Sequence, residues 1–247
     1  FEEGIVDHSW STIIDDRRTQ SRVIHKRSDL SGEELMESMQ SIIKESEWVT
    51  GNTNLMSWMM KAPEGASYQN YEFGRYRLLA KPMSDAVARL TKDIMQECNV
   101  LNEESWPNAC LLTLYRNDQD FTPWHADDED IFKTPRGCKA NPIITLSLGA
   151  NRIFELASRT MWGNGKAVNL QHGDVLVMAG NTQSHYVHRV PKTNEREGLV
   201  ESQVRLNISW RWIGTASLSM AAVHTNYDCD EEQSSELLDP VDIPQHE

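Results

Sequence analysis

The chain has 247 residues, 39% of them hydrophobic and 25% charged, a composition typical of a globular protein with one substantial core. No apolar run approaches the ~20 residues of a membrane span, and no N-terminal hydrophobic stretch indicates a signal peptide. The net charge of −13 argues against broad nucleic-acid affinity through bulk electrostatics, although basic groups gathered on one face still permit a polyanionic substrate.

The cysteines are scattered without a C-x-x-C pair, which argues against a disulfide framework or a zinc ribbon. Reduced thiols in an intracellular protein, nuclear or cytoplasmic, fit this pattern best. We expect no membrane contact and a monomer.

The first half of the chain predicts two helices. Residues 1–30 mix charges with few apolar positions and are expected to form a loosely packed N-terminal arm. Ser31 and Glu34 form an S-x-x-E capping-box pattern, and apolar residues at helical spacing follow, so a helix is predicted over 32–48. Residues 50–70 indicate a loop with a short element inside. A second helix is predicted to open at Pro82-Met83-Ser84-Asp85.

After Pro107 the sequence changes to short β runs separated by turn signals. The predicted strands are Ala109–Arg116, Pro142–Leu148, Arg152–Leu156, Val168–Leu170, Val175–Ala179, His185–Val190 and Val204–Ile213. Helices followed by many short strands predict an α+β protein with a double-stranded β-helix (jelly-roll) core and N-terminal helices packed on one sheet.

One domain is predicted over 31–227, with its jelly-roll core at about 108–214. Residues 228–247 are acidic, low in aromatics and contain two prolines, which predicts a mobile tail.

Two histidines and one aspartate form the strongest candidate metal site. His125 and Asp127 belong to the sequence W-H-A-D-D at 124–128, and His188 follows much later in the chain. Two imidazoles and one carboxylate can occupy one face of a metal and leave open positions opposite, the ligand set of non-haem Fe(II) oxygenases. Zinc is the main competitor, since a His₂-carboxylate zinc site can activate water for hydrolysis.

The segment 205–212 alternates strictly and predicts a strand with two different faces. Arg205, Asn207, Ser209 and Arg211 share one face, and Leu206, Ile208, Trp210 and Trp212 share the other. An inward-facing arginine needs an anionic partner, because an unpaired buried charge costs several kcal/mol. A keto diacid that chelates iron at one end would supply that anion, which favours iron over zinc. The open alternative places both arginines on a solvent-exposed face.

Several ordered blocks between residues 68 and 213 resemble the AlkB-type Fe(II)/2-oxoglutarate-dependent dioxygenases, particularly the animal nuclear alkylation-repair members. The blocks are L-Y-R-N at 114–117, H-A-D-D-E at 125–129, P-I-I-T-L-S-L-G-A at 142–150, F-E-L at 154–156, H-G-D at 172–174, H-R-V-P-K at 188–192 and R-L-N at 205–207. The resemblance implies Fe(II) as cofactor, held by the His-Asp-His set, and 2-oxoglutarate and O₂ as cosubstrates.

The resemblance also implies how 2-oxoglutarate is bound. Its distal carboxylate would meet Arg205 and Tyr115, with Asn207 in support, and Arg211 would lie by the iron-bound end. Thr113 stands where family members commonly have asparagine, so we expect a hydroxyl in place of an amide at that position.

The substrate side follows from the same resemblance. Asp128 resembles the acid that contacts the damaged base, so it is expected to act in catalysis and in substrate binding, with Glu129 beside it. Tyr71 and Phe73 resemble the aromatic pair of a nucleotide-recognition lid, expected at about 50–80. The alternative for these two rings is packing in the core.

The activity implied by the family is oxidative demethylation of N-methylated bases in DNA or RNA, which releases formaldehyde, succinate and CO₂. A base inside a duplex cannot reach a buried metal, so it must be flipped out or already unpaired. Two alternatives stay open: an oxygenase that acts on a protein side chain or a small molecule, and a catalytically silent binding module of a larger protein.

Overall fold

The computed structural model describes residues 9–61, 68–132, 142–161, 165–193 and 204–213. The helices are α1 (Gly32–Glu45), α2 (Asp85–Glu97) and the single-turn α3 (Thr182–His185). The strands are β1 (Ser11–Asp16), β2 (Ser21–Arg27), β3 (Val49–Thr50), β4 (Leu55–Met60), β5 (Tyr71–Phe73), β6 (Tyr76–Leu78), β7 (Ala80–Pro82), β8 (Ala109–Tyr115), β9 (Thr122–His125), β10 (Ile143–Gly149), β11 (Arg152–Ser158), β12 (Lys166–Leu170), β13 (Asp174–Gly180), β14 (Tyr186–Val190) and β15 (Arg205–Arg211).

Two sheets face each other and form the predicted jelly roll. The larger, nine-stranded sheet runs in the order β1-β2-β13-β10-β15-β8-β4-β3, and β7 adds to β4 in parallel. The smaller sheet runs β12-β11-β14-β9, and β5 pairs with β6 in a separate hairpin. Apolar side chains from both sheets meet in one buried cluster, which includes Phe154 and Leu156 of the smaller sheet and Leu176 of the larger one. The predicted fold class is therefore confirmed.

Both long helices pack on the outer face of the larger sheet, as predicted. The Ser31 hydroxyl accepts from the Glu34 backbone N–H, and the Glu34 carboxylate accepts from the Ser31 N–H, which completes the capping box and fixes the start of α1. The buried stripe of α2 begins after its N-cap, Ser84, whose side chain accepts from the Val87 N–H. These helices cover one side of the sheet and leave the other side free to face the smaller sheet.

Strand β15 shows how one alternating segment serves both sides of the sheet. Leu206, Ile208 and Trp210 are fully buried against the helices. The opposite residues, which include both arginines, point between the two sheets and line a cavity there. The predicted division of faces is thus observed, and the alternative with solvent-exposed arginines is wrong, because Arg205 and Arg211 are only 1% and 4% exposed.

The prediction of a loosely packed arm over 1–30 is wrong for residues 11–27, which form the hairpin β1–β2. Strand β2 pairs with β13 along its whole length, from Ser21 opposite Gly180 to Arg27 opposite Asp174. The charged residues in this segment interrupt the apolar pattern by which a strand is predicted from sequence. Lys26, for example, is buried because its ammonium group pairs with Asp29 and Glu97.

The region of about 50–80, expected as a lid, is also different from the prediction. Residues 55–60 form β4, a strand of the larger sheet that pairs with β8 over six positions. The segment 51–54 and the hairpin β5–β6 remain as the parts of this region that line the cavity.

The acidic tail at 228–247 lies outside the described residues. Within the described ranges, the structure contains no helix of the length and apolar character needed to cross a membrane.

The docking of the N-terminal hairpin can be tested with two glycines of similar conformation. Gly180 has φ +65°, and a Cβ added there would lie 2.0 Å from the Gln20 carbonyl oxygen, whereas Gly74 has φ +52° and open space around it. Both alanine variants carry the strain of the left-handed region, about 1–2 kcal/mol. Gly180→Ala should lose about 1–3 kcal/mol more free energy of unfolding than Gly74→Ala, because the backbone at Gln20 must move away from the added methyl group. Urea titration of both variants measures the difference. Equal losses would show that residue 20 does not pack against β13.

Candidate metal centre and active site

The three predicted metal ligands converge because two neighbouring strands carry the histidines. His125 ends β9, His188 lies opposite it on β14, and Asp127 follows two residues later in the loop after β9. His188 Nε2 lies 3.4 Å from Asp127 Oδ2, and His125 Nε2 lies 3.8 Å from Asp127 Oδ1. All three ligand atoms lie within 4.8 Å of one another, so this set can hold a single ion.

Hydrogen bonds and burial prepare these side chains for a metal. His125 Nδ1 donates to the Pro123 carbonyl at 2.9 Å, which leaves Nε2 with its lone pair toward the centre. Burial, aided by the neighbouring His125, lowers the pKa of His188 to about 4 against the pull of Asp127. The His188 imidazole is therefore neutral near pH 7, as metal ligation requires.

Asp127 is kept ionised by the arginine behind it. Burial alone would raise the pKa of Asp127, but the Arg211 guanidinium, aided by His188 and His125, holds that pKa well below its usual range. Arg211 Nη2 lies 3.1 Å from Asp127 Oδ2, and its guanidinium lies over the Phe132 ring. The backbone N–H of Asp127 donates to Gln183 Oε1, which fixes the loop.

Arg205 lies deeper between the sheets and has unused donors. Its Nη2 donates to Ser147 Oγ at 2.7 Å and to Asn207 Oδ1 at 2.9 Å. Its guanidinium also lies over the Tyr115 ring, 5.1 Å from the ring centre. Nε and Nη1 are buried without a hydrogen bond in the described chain, and the same is true of Nε and Nη1 of Arg211. Buried guanidinium donors without acceptors indicate a place for an anionic ligand.

A cavity of about 450 Å³ connects these groups. The three predicted ligands line it, and so do all five residues predicted to bind the cosubstrate: Thr113, Tyr115, Arg205, Asn207 and Arg211. The Tyr115 hydroxyl lies 2.7 Å from Thr122 Oγ1, and Asn207 Nδ2 donates to Ser209 Oγ. The donor set and the unpaired guanidinium nitrogens therefore fit an iron ion with a dicarboxylate beside it.

Comparison with known proteins decides the family. Residues 12–211 match the family model described as the 2OG-Fe(II) oxygenase superfamily. The chain belongs to this superfamily. Its cofactor is Fe(II), and its cosubstrates are 2-oxoglutarate and O₂, for which the cavity offers the His-Asp-His set and the buried arginines.

Two curated relatives of this oxygenase carry AlkB-type names, as the sequence predicted. The human alpha-ketoglutarate-dependent dioxygenase alkB homolog 3 is 30% identical over 151 residues, which cover 58% of this chain and 48% of the relative. The DNA oxidative demethylase ALKBH2 of Arabidopsis thaliana is 30% identical over 129 residues, 43% of this chain and 38% of the relative. The chain spans about half the length of these relatives, or less.

A solved structure supports the fold. The structure of OsALKBH1 aligns with a TM-score of 0.54, covering 77% of this chain and 96% of that one, at 16% identity. At this identity the likeness concerns the fold alone.

The structure does not bring Asp128 to the cavity of the oxygenase. Its carboxylate pairs with Arg159 at 2.6 Å on the surface, and Arg159 also donates to the Gln183 carbonyl. Asp128 follows Asp127, but the backbone between them turns the two side chains apart. Asp128 is therefore not among the residues that line the cavity, and its roles in catalysis and base binding stay predictions.

Glu129, Tyr71 and Phe73 do line the cavity. The Tyr71 hydroxyl donates to Glu129 Oε1 at 2.8 Å, and Glu129 Oε2 is buried without a hydrogen bond in the described chain. Tyr71 is only 2% exposed, and its ring packs between Trp58 and Phe73 at centre distances of 5.0 and 4.8 Å. Tyr71 thus belongs both to the core and to the cavity wall. Packing in the core and a place in a recognition lid are therefore not exclusive alternatives for Tyr71 and Phe73.

Several residues that line the cavity or hold its side chains in place were not predicted from the sequence. Thr145 lies on β10 and faces the cavity, and Ser147 on the same strand binds Arg205. Hydroxyl residues at alternate positions of an otherwise apolar run were the available signal. No sequence pattern marked Gln183, because its partner Asp127 lies 56 residues away in the chain.

Metal binding by this triad can be measured without turnover. His125→Ala should weaken Co(II) binding by more than about 100-fold, since losing a ligand has a larger effect than losing an outer partner. His185→Ala is the matched control, because His185 is exposed on α3 and does not line the cavity. Titration followed by the visible absorption of Co(II) would show the difference. Equal affinity of the two variants would contradict the ligand assignment.

Proposed function

We propose that this oxygenase removes N-linked methyl groups from bases of DNA or RNA by oxidation. One observation carries the proposal: the cavity that contains the His-Asp-His set is lined both by two buried arginines and by aromatic rings with a carboxylate. The arginines suit a small dicarboxylate. The aromatic rings and the carboxylate suit a flat, partly polar ring, which is the shape of a nucleobase. The demethylase name of the Arabidopsis relative agrees with this assignment.

The two arginines would lie at opposite ends of bound 2-oxoglutarate. Arg205 would hold the distal carboxylate through guanidinium N–H groups that have no acceptor in the described chain, with Tyr115 and Asn207 fixing its orientation. Arg211 would keep Asp127 charged and lie at the metal end. When bound, Fe(II) and 2-oxoglutarate use O₂ to oxidise the methyl carbon to hydroxymethyl, with succinate and CO₂ as coproducts, and the hydroxymethyl group then leaves as formaldehyde.

Glu129 and Tyr71 are suited to orient the base. Glu129 Oε2 is a buried acceptor aimed at the cavity, and it would accept from the amino group of adenine or cytosine. The Tyr71 hydroxyl holds the other carboxylate oxygen and keeps this acceptor in place. Phe73 offers the adjacent ring face for stacking, worth about 1–3 kcal/mol per base.

We also propose which segments form the lid and the catalytic unit. The hairpin β5–β6 and the segment 51–54 would serve as the recognition lid, and 31–227 together with the hairpin at 11–27 would form one catalytic unit. The enzyme would act as a monomer in the nucleus or cytoplasm. Size-exclusion chromatography with light scattering tests the monomer.

Replacing Arg205 tests cosubstrate binding. Arg205→Ala should raise the 2-oxoglutarate KM more than tenfold, because a charge-assisted hydrogen bond contributes about 1.5–3 kcal/mol. Arg205→Lys should give an intermediate value, since it keeps the charge but loses the paired donors. Arg89→Ala is the control, because Arg89 is exposed on α2, on the far face of the larger sheet. Succinate release against 2-oxoglutarate concentration gives these values, and an unchanged KM in Arg205→Ala would place the cosubstrate elsewhere.

The function itself is tested with methylated oligonucleotides. Incubation of the chain with Fe(II), 2-oxoglutarate, ascorbate and single strands of DNA or RNA that contain N-methylated adenine or cytosine should release formaldehyde and the unmodified base. Mass spectrometry of the strand and a formaldehyde assay provide the two readouts.

The alternatives give different results in the same assay. Succinate without formaldehyde from any strand would favour an oxygenase with a protein or small-molecule substrate. No succinate under O₂ in an iron-loaded protein would favour the catalytically silent module.

A further inference from the structure

We propose that a surface arc at the mouth of the cavity binds the nucleotides that flank the reacting base, stacking their bases on aromatic rings and holding their phosphates with cations. The inference rests on the proposed function, because it takes the substrate to be a nucleic-acid strand. We call this surface the mouth arc. It comprises two pairs of a ring and a cation, Tyr76 with Arg75 and Phe121 with Lys192.

The mouth arc lies where the cavity opens to solvent. Its rings Tyr76 and Phe121 line the cavity and are partly exposed, whereas the metal ligands Asp127 and His188 are buried. A base that enters beside these rings would leave its neighbours along the strand next to them.

Hydrogen bonds through the segment 51–54 connect the two rings of the arc. The N–H of Asn52 donates to the Tyr76 hydroxyl at 2.9 Å. The N–H of Phe121 donates to the Thr53 carbonyl at 3.0 Å, and Asn54 Nδ2 donates to the Phe121 carbonyl at 3.0 Å. The hairpin β5–β6, the segment 51–54 and the start of β9 are thereby held side by side.

Each ring of the arc has a cation over one face. The distances from cation to ring centre are 5.4 Å for Arg75 on Tyr76 and 5.0 Å for Lys192 on Phe121. An aromatic face beside a cation suits a nucleotide, since the base can stack on the ring while the cation meets the phosphate. Bases in a duplex are stacked on each other, so the arc favours unpaired flanks.

The charges of the arc are local, which fits a protein with a net charge of −13. Among the described residues, Arg75 and Lys192 have no salt bridge to an acid. Two available cations give few phosphate contacts. Stacking must then contribute much of the affinity, and the salt dependence of binding must be shallow.

The experiment uses seven-nucleotide DNA strands with a central N1-methyladenine, flanked either by ordinary nucleotides or by abasic sites. Two readouts are taken: fluorescence anisotropy for binding, and formaldehyde release for KM. Intact flanks should bind about tenfold more tightly and lower KM to a similar extent. Phe121→Ala should remove most of this advantage, whereas Tyr68→Ala, a partly exposed tyrosine at a separate surface pocket, should keep it.

The cations are tested by salt. Lys192→Ala should reduce the slope of log affinity against log salt by about 0.7, and Arg75→Ala should do the same. Lys166→Ala should leave the slope unchanged, because Lys166 is exposed on β12, at the edge of the smaller sheet opposite β9. Both Arg75 and Lys192 are exposed, so their removal leaves the core intact.

These measurements distinguish binding at the mouth arc from the proposed demethylation. Formaldehyde release with no difference between intact and abasic flanks would overturn the mouth arc and leave the demethylase intact. A flank advantage that persists in Phe121→Ala, Lys192→Ala and Arg75→Ala would also overturn it. Flank-dependent binding without formaldehyde would support the arc and overturn the proposed reaction.

Discussion

The buried ion pair between Asp127 and Arg211 connects the two halves of the site, and the other contacts there depend on it. Asp127 belongs to the loop after β9, beside the smaller sheet, and Arg211 ends β15 of the larger sheet. A carboxylate buried this deeply would bind a proton without a cation nearby, and a protonated acid is a poor metal ligand. The guanidinium keeps the oxygen charged and fixes the separation of the sheets at the point where the metal must fit.

The sequence predicted those parts of the molecule in which local pattern and final environment agree. The alternation at 205–212 predicted which residues face the cavity, because β15 packs on both faces with different chemistry. The capping box at Ser31 predicted the start of α1. The metal ligands were predicted from residue types in two short motifs, and the antiparallel pairing of β9 with β14 explains why motifs so distant in the chain meet.

The sequence-based predictions differ from the structure where a contact with a distant part of the chain sets the environment of a residue. Lys26 looked like a surface charge and concealed β2, yet Glu97 on α2 allows its burial. Asp128 follows a ligand in the sequence, yet its carboxylate pairs with Arg159 at the surface, a position that the motif did not predict. Glu129, expected only as its neighbour, has the unsatisfied oxygen inside the cavity. None of these partners is close in the sequence, so neither periodicity nor motif spacing could predict the pairing.

The position of β2 has a consequence for how the molecule is made. This strand leaves the ribosome well before its neighbour β13, which lies far later in the chain. Until that segment leaves the ribosome, the hairpin β1–β2 has an unpaired edge that other chains can join. Closing the sheet also depends on contacts of large sequence separation, which slows folding. The basic side chains of β2, Arg22, Lys26 and Arg27, place like charges along that edge, and repulsion between copies opposes such pairing before β13 arrives.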